Sequence, residues 1–196
     1  MKKFLKKPLA GALCGALALL LTGCGVLKQV GGAAMMTQCT YAFNSVSDVS
    51  IIGISLSQKP SALDLLKIAP VIAGKATSVP MTITIKVDIH NPNKMEAMMQ
   101  GMQYILSVDG VQFTTGSVTT PVSVPAGATG MMPVALGFDL ATLLSGAAKD
   151  ATVNIIKNLV GINDTKSNVK FEIKPSFKIG TQVMTAPAFI PLNFTL

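Results

Sequence analysis

Arginine and tryptophan are absent from this 196-residue chain, and histidine occurs once. Without arginine the chain lacks the planar, bidentate donor that phosphate and base-edge recognition usually exploits. Charged residues make up 13% of the sequence, and the formal charge of +7 includes four lysines from the first seven residues. Beyond residue 24, twelve lysines stand against nine carboxylates, a balance of +3. That balance does not argue for a nucleic-acid partner; lysines favour weak contact with anionic lipid headgroups, but these are spread out rather than clustered. The lone histidine, His90, has no sequence neighbour that would make it a general base or a metal ligand. The carboxylates are scattered singly, and no spacing among them proposes a catalytic couple. Gly31-Gly32 precedes every strand and is no phosphate loop; Asp109-Gly110 lacks the further oxygen ligands of a calcium loop. No catalytic residue, metal site or cofactor is expected.

Cysteine is nearly as scarce, with Cys14, Cys24 and Cys39. Lys2, Lys3, Lys6 and Lys7 lead into an apolar stretch over 9–21, then Thr22-Gly23 and Cys24. A basic start, a short apolar run and small residues describe a secretory signal; the run is shorter than the roughly 20 residues of a spanning helix. With the cysteine directly after it, the segment resembles a bacterial lipobox. That resemblance implies removal of residues 1–23 and lipid attachment at a triacylated Cys24. The alternative is an ordinary cleaved signal followed by a chance cysteine. Each buried acyl methylene contributes about 0.8 kcal/mol, so several chains together anchor firmly. Gly25 follows the cysteine, with no aspartate there and no acidic run beyond it. By resemblance to lipoprotein sorting in Gram-negative bacteria, the expected location is the outer membrane, facing the periplasm. Cys39 is then left without an internal disulfide partner; it is either a small buried apolar residue or a site of intermolecular pairing.

Residues 25–34 (GVLKQVGGAA) carry three glycines and little hydrophobic periodicity, so 24–36 reads as the lipidated cysteine and a flexible tether. Residues 37–196, roughly 160 positions, suffice for one domain with its own core.

Within that body the period is two. Over 82–90, Ile83, Ile85, Val87 and Ile89 share one face, and the threonines, Lys86, Asp88 and His90 the other. Residues 132–138, 169–174 and 192–196 repeat the pattern. Met102, Tyr104, Leu106 and Val108 form another stripe ending at Asp109-Gly110, a hairpin turn, with the return over 111–115. Residues 39–46 and 48–57 read as two further strands. Two stretches are helical instead. Over 139–161, Leu140, Leu143, Leu144, Ala147, Ala148, Ala151, Ile155 and Leu159 recur at three-or-four spacing, with Asp139 as N-cap and Gly161 as stop. Over 61–69, Ser61 and Asp64 are spaced as a capping box, and Pro70 limits the element to a short helix or turn. The expected class is all-β with one or two helices, a sandwich or barrel of short antiparallel strands.

Asn91-Pro92-Asn93 follows directly on the cleanest strand, where asparagine favours a turn and proline removes a ladder donor. Downstream come Gly101, Tyr104, Val108-Asp109-Gly110, Gly116, Val124-Pro125-Ala126-Gly127 and Pro133-Val134. This ordered series resembles the late embryogenesis abundant type 2 family, also called the WHy domain. Asp139-Leu140 and the segments 169–179 and 187–196 take the places of the family's helix start and last strands. The resemblance covers 39–196 and is strongest over 82–138; 59–80 departs from it as an insertion. It implies an immunoglobulin-like or fibronectin-III-like β-sandwich of about seven strands, with the Asn91-Pro92-Asn93 motif as a structural turn.

Met95, Met98, Met99 and Met102 are close enough to form an apolar patch on a helical turn. They either fill the end of the sandwich or form a contact surface for lipid or protein. With the lipobox-like start and no catalytic constellation, the family resemblance implies a non-catalytic envelope lipoprotein that protects membrane or protein surfaces in desiccation or envelope stress. The alternatives are a lipid-binding or lipid-transfer module, and an accessory subunit docking on an envelope protein complex through a sheet edge.

Overall fold

The computed structural model describes residue 25 and residues 27–144, 148–163, 165–179 and 181–196. The signal-like segment and Cys24 lie outside the described residues. The chain runs from helix α1 (27–36) through β1 (Thr40–Ile51), β2 (Ile54–Ser55), α2 (Ala62–Ile72), β3 (Pro80–His90), β4 (Ala97–Met99) and β5 (Gly101–Val108). It continues through β6 (Val111–Val118), β7 (Val122–Val124), β8 (Thr129–Asp139), a 3-10 turn (Leu140–Leu144), α3 (Lys149–Leu159), β9 (Asn168–Ile179), β10 (Gln182–Thr185) and β11 (Ile190–Thr195).

The strands form antiparallel sheets. One has the order β2-β1-β3-β8; a second has β10-β9-β5-β6, with β11 also on β9; β4 and β7 pair separately. The period-two stripes decide which faces meet. Met81, Ile83, Ile85, Val87 and Ile89 of β3 are buried, as are Val169, Phe171, Ile173 and Phe177 of β9. Both rows belong to one hydrophobic core that the two larger sheets share. Aromatic pairs bridge the sheets on both sides. Phe43 of β1 stacks on Phe194 of β11 with ring centroids 3.7 Å apart, and Phe113 of β6 meets Phe138 of β8 edge-on at 6.2 Å. Such pairs add about 0.5–1.5 kcal/mol beyond area burial.

Helices lie at the two ends of β3. At its start, the Leu140 N–H donates to the Val79 carbonyl at 2.9 Å, and the Asp139 carboxylate accepts from the Val79 and Ala141 N–H groups at 2.7 and 2.8 Å. The 3-10 turn then carries buried Leu140 and Leu144, and α3 follows with Val153, Ile155 and Ile156 buried. At the far end of β3, beyond His90, lies α1.

Several expectations need correction. The described residues hold eleven strands, not about seven, because short pairs at the ends add to the main ladders. The two strands expected over 39–46 and 48–57 divide elsewhere: β1 runs on to Ile51 through two register shifts, between Phe43 and Ser45 and between Ser47 and Ser50, with Asp48 at φ 52°, and only the two-residue β2 follows. Those shifts explain the unclean alternation, since each inserts residues that oppose nothing. The helix expected over 139–161 is divided into the 3-10 turn and α3, and Ala147 lies outside the described residues. The 59–80 insertion contains α2. Its capping box forms, with the Asp64 N–H donating to Ser61 Oγ at 3.2 Å and the Ser61 N–H to Asp64 Oδ2 at 3.1 Å. Pro70 does not end α2; it sits in the last turn, where it forfeits the hydrogen bond to the Leu66 carbonyl, and buried Ile68 and Val71 hold the helix down. Finally, the segment read as a tether is helical over 27–36, with Ala33 and Met36 buried in the core.

Candidate functional site: the asparagine knot and helix α1

At the end of β3, Asn91 has no solvent exposure. A buried amide must be paired on both ends, and this one is. Its Nδ2 donates to the carbonyls of Met95, Val124 and Pro125 at 2.8, 2.9 and 3.1 Å, two hydrogens shared among three acceptors. Its Oδ1 accepts from the backbone N–H of Asn93 at 3.1 Å and from Asn93 Nδ2 at 2.8 Å. Its backbone N–H donates to the Ala128 carbonyl, and the Gly127 N–H returns to the Asn93 carbonyl. The Asn91-Pro92-Asn93 turn and the Val124-Pro125-Ala126-Gly127 turn, 33 positions apart at Asn91 and Val124, are thus one knot.

Asn93 extends the knot to α1 by donating from Nδ2 to the Met35 carbonyl at 3.0 Å. The last carbonyls of α1 lack intrahelical partners; the Gln38 and Cys39 N–H groups reach those of Met35 and Met36, and side chains add further donors. The Tyr41 hydroxyl donates to the Met36 carbonyl at 3.1 Å and the Thr37 hydroxyl to that of Ala34 at 2.7 Å. Burial pushes the Tyr41 hydroxyl well above its ordinary pKa, so it stays a donor. The Cys39 thiol, 3.5 Å from the Met35 carbonyl, is buried, and burial raises its pKa as well.

The four methionines do not share a surface. They lie on and around β4 and β5 rather than on a helical turn, because 97–99 pair with Val122–Val124. Met99 and Met102 enter the core. Met98 and Met95 instead face α1 across its two glycines. A Cβ on Gly32 would lie 2.9 Å from Met98 Cγ, and one on Gly31 would lie 3.4 Å from Met95 Cε. The glycines that suggest a loop therefore let the helix approach β4 closely. Beside them Lys28 Nζ pairs with Glu96 at 3.1 Å, and the Ser123 hydroxyl donates to the same carboxylate. The serine, then the lysine, hold the Glu96 carboxyl below its usual range. Met95 stays 54% exposed.

The remaining polar candidates have structural partners. His90 Nδ1 shares a hydrogen bond of 3.1 Å with Thr129 Oγ1 on the neighbouring strand. Asp109 accepts the Asn168 N–H at 2.8 Å, tying the β5–β6 turn to the start of β9. Next to the C-terminal end of α1, an apolar cleft of about 240 Å³ is lined by Met36, Tyr41, Pro175, Phe177, Pro187 and Ile190. Cys24 lies outside the described residues. Sequence reasoning missed α1 and the pairing of the two turns. The signal for the helix was Leu27, Val30, Ala33, Ala34 and Met36 at three-or-four spacing, masked by Gly31-Gly32.

Residues 86–191 match the family model described as late embryogenesis abundant protein, LEA_2. No curated protein matches the chain. Among solved structures, a protein from Archaeoglobus fulgidus is similar over 79% of this chain and 98% of its own, at 18% identity and a TM-score of 0.40. A protein from Arabidopsis thaliana is similar over 80% of each chain, at 11% identity and a TM-score of 0.45. A putative late embryogenesis abundant (LEA) protein is similar over 100% of this chain and 94% of its own, at 14% identity and a TM-score of 0.41.

Proposed function

The chain belongs to the late embryogenesis abundant (LEA_2) family, and from that premise we propose that it is a non-catalytic lipoprotein that shields membrane or protein surfaces during desiccation or envelope stress. Family membership supports the stress role. The anchor rests on the order of Lys2, Lys3, Lys6, Lys7, the apolar run and Thr22-Gly23-Cys24. On this reading Cys24 carries the lipid, and the body works at the periplasmic face of the outer membrane. The same reading takes the two larger sheets as an elaborated immunoglobulin-like or fibronectin-III-like sandwich, supported by their shared core and bridging aromatic pairs. The observation that carries it is the joining of the family's two turns through buried Asn91, which makes the motif a means of holding the fold rather than a reactive centre.

Drying survival tests it. Cells lacking the chain should survive drying less well. The wild-type chain should restore survival, and the Cys24→Ala variant should restore little. Equal survival with and without the chain sinks the stress role; full rescue by Cys24→Ala sinks the anchor.

The apolar cleft beside Tyr41 and Phe177 favours a second reading, a lipid-binding module. Native mass spectrometry of the protein extracted in detergent would reveal a bound lipid beyond the covalent one. A chain carrying only its own acyl groups excludes this reading.

A further inference from the structure

Helix α1 is apolar on two faces. Its inner face places Gly32, Ala33 and Met36 against the body. Its outer face presents Leu27 at 72% exposure, Val30 and Ala34, again at helical spacing. Met95 lies beside that face, against Gly31, and exposed Lys94 precedes it. An apolar helix stripe is normally covered, and α1 has two, with Lys28 between them turned to Glu96. Among the described residues nothing covers the outer face of α1, and no helix is long and apolar enough to cross a membrane.

The position of the helix in the chain says what covers it. Leu27 stands three residues after Cys24, a separation of at most about 10–11 Å even when fully extended. The helix is also fixed to the body, by Asn93 at its last turn, by the Lys28–Glu96 pair at its first and by the close fit of Gly32 on Met98. Acyl chains on Cys24 would thus be joined almost without slack to a rigid unit whose nearest surface is apolar. We propose that Leu27, Val30, Ala34 and Met95 form a bilayer-contact surface that sets the body upright on the membrane, with α2 and α3 farthest from it. The inference rests on the lipid-anchor reading above. Residues 27–36 of α1 span about 15 Å, about half the thickness of a bilayer's hydrocarbon core, so on this proposal the helix lies along the interface. Lys94 is placed for anionic headgroups.

The absence of tryptophan provides the test. Single-tryptophan variants Leu27→Trp, Met95→Trp and Leu66→Trp of the full chain, processed in cells and extracted in detergent, are reconstituted into vesicles of phosphatidylcholine with phosphatidylglycerol. A second set of vesicles carries brominated acyl chains. Leu66 is exposed on α2, toward the Pro80 end of β3 and away from α1. The expected result is flotation of all three with vesicles and roughly twofold or greater quenching of Leu27→Trp and Met95→Trp, with Leu66→Trp unquenched. Flotation of all three with equal quenching at positions 27, 95 and 66 overturns the contact surface and leaves the anchor standing. Concentration-dependent burial of Leu27→Trp and Met95→Trp without lipid quenching overturns it in favour of a second copy of the chain. Failure of all three to float overturns the anchor and the surface with it.

Discussion

Asn93 donates its side-chain amide to the carbonyl of Met35 at 3.0 Å while also donating to Asn91 Oδ1 at 2.8 Å. One side chain thereby connects the last turn of α1 to the buried asparagine at the end of β3. The position of the N-terminal helix depends on the turn that the family motif builds, and the two asparagines are expected to fail differently when replaced.

Asn91→Ala leaves the carbonyls of Met95, Val124 and Pro125 without their buried donor. Loss of several coupled bonds in a dry site should cost about 2–4 kcal/mol. Thermal unfolding should show a large drop in midpoint. Asn93→Ala removes the link to α1 but leaves the turn its Asn91 donors. Global stability should fall by about 1 kcal/mol, while amide exchange over 27–36 rises most. Equal exchange in both variants would mean that Asn93 does not hold the helix.

Gly32→Leu tests the close fit from the other side. A Cβ at this position already lies 2.9 Å from Met98 Cγ, and the rest of a leucine has no room. The added methyl would meet Met98 at Cγ and at Cβ, 3.0 Å away and fixed to the backbone of β4, so Gly32→Ala should already loosen α1, with the gain in helix propensity of about 1 kcal/mol offsetting only part of the crowding. Gly32→Leu should lift α1 and raise proteolysis near residues 27–36 without unfolding the sheets. Unchanged proteolysis in Gly32→Leu would show that the helix was not seated there.

Much of this architecture is legible in the residues, and the failures have physical causes. The stripe of Ile83, Ile85, Val87 and Ile89 identifies a strand because one face is buried throughout; β9 reads as clearly for the same reason. β1 misleads because its bulges break the alternation at Asn44 and Asp48. Ser61 and Asp64 announce α2 because a capping box is local chemistry. Helix α1 is hidden because its glycines serve a contact with Met95 and Met98, more than sixty positions away in the chain, which no local pattern contains. The knot is half legible: each turn can be read alone, but their junction at Asn91 is a tertiary fact.

The acid response should follow three carboxyls. Asp139 is held below its ordinary range by the Ser78 hydroxyl, then by the Ala141 and Val79 N–H groups; Asp64 is lowered by Ser61, and Glu96 by Ser123 and then Lys28. A depressed folded-state pKa gives stability that is present above the unfolded value and is lost as pH falls through the folded one. The melting temperature should therefore be flat above about pH 5 and decline below about pH 4, where unfolded carboxyls begin to bind protons. Asp139→Asn should lower the neutral-pH melting temperature and flatten the acid limb. An unaltered acid limb would remove Asp139 from the account.

The last test concerns two family-motif residues that are cross-strand partners. Tyr104 of β5 sits opposite Gly116 of β6, and a Cβ on Gly116 would lie 2.5 Å from the tyrosine oxygen. The ring therefore lies over the glycine, covering backbone that a side chain would otherwise shield, and it also leans on Phe171 at 6.1 Å. Gly116→Ala in the native background should cost about 1–3 kcal/mol, because the ring must leave its place. Tyr104→Ala alone loses the cover and should also be destabilising. With the ring already gone, adding Gly116→Ala should be neutral or stabilising, since alanine suits a strand better than glycine. Urea unfolding of the four proteins gives the coupling directly, and a coupling near zero would mean that the tyrosine and the glycine occupy facing positions without depending on each other.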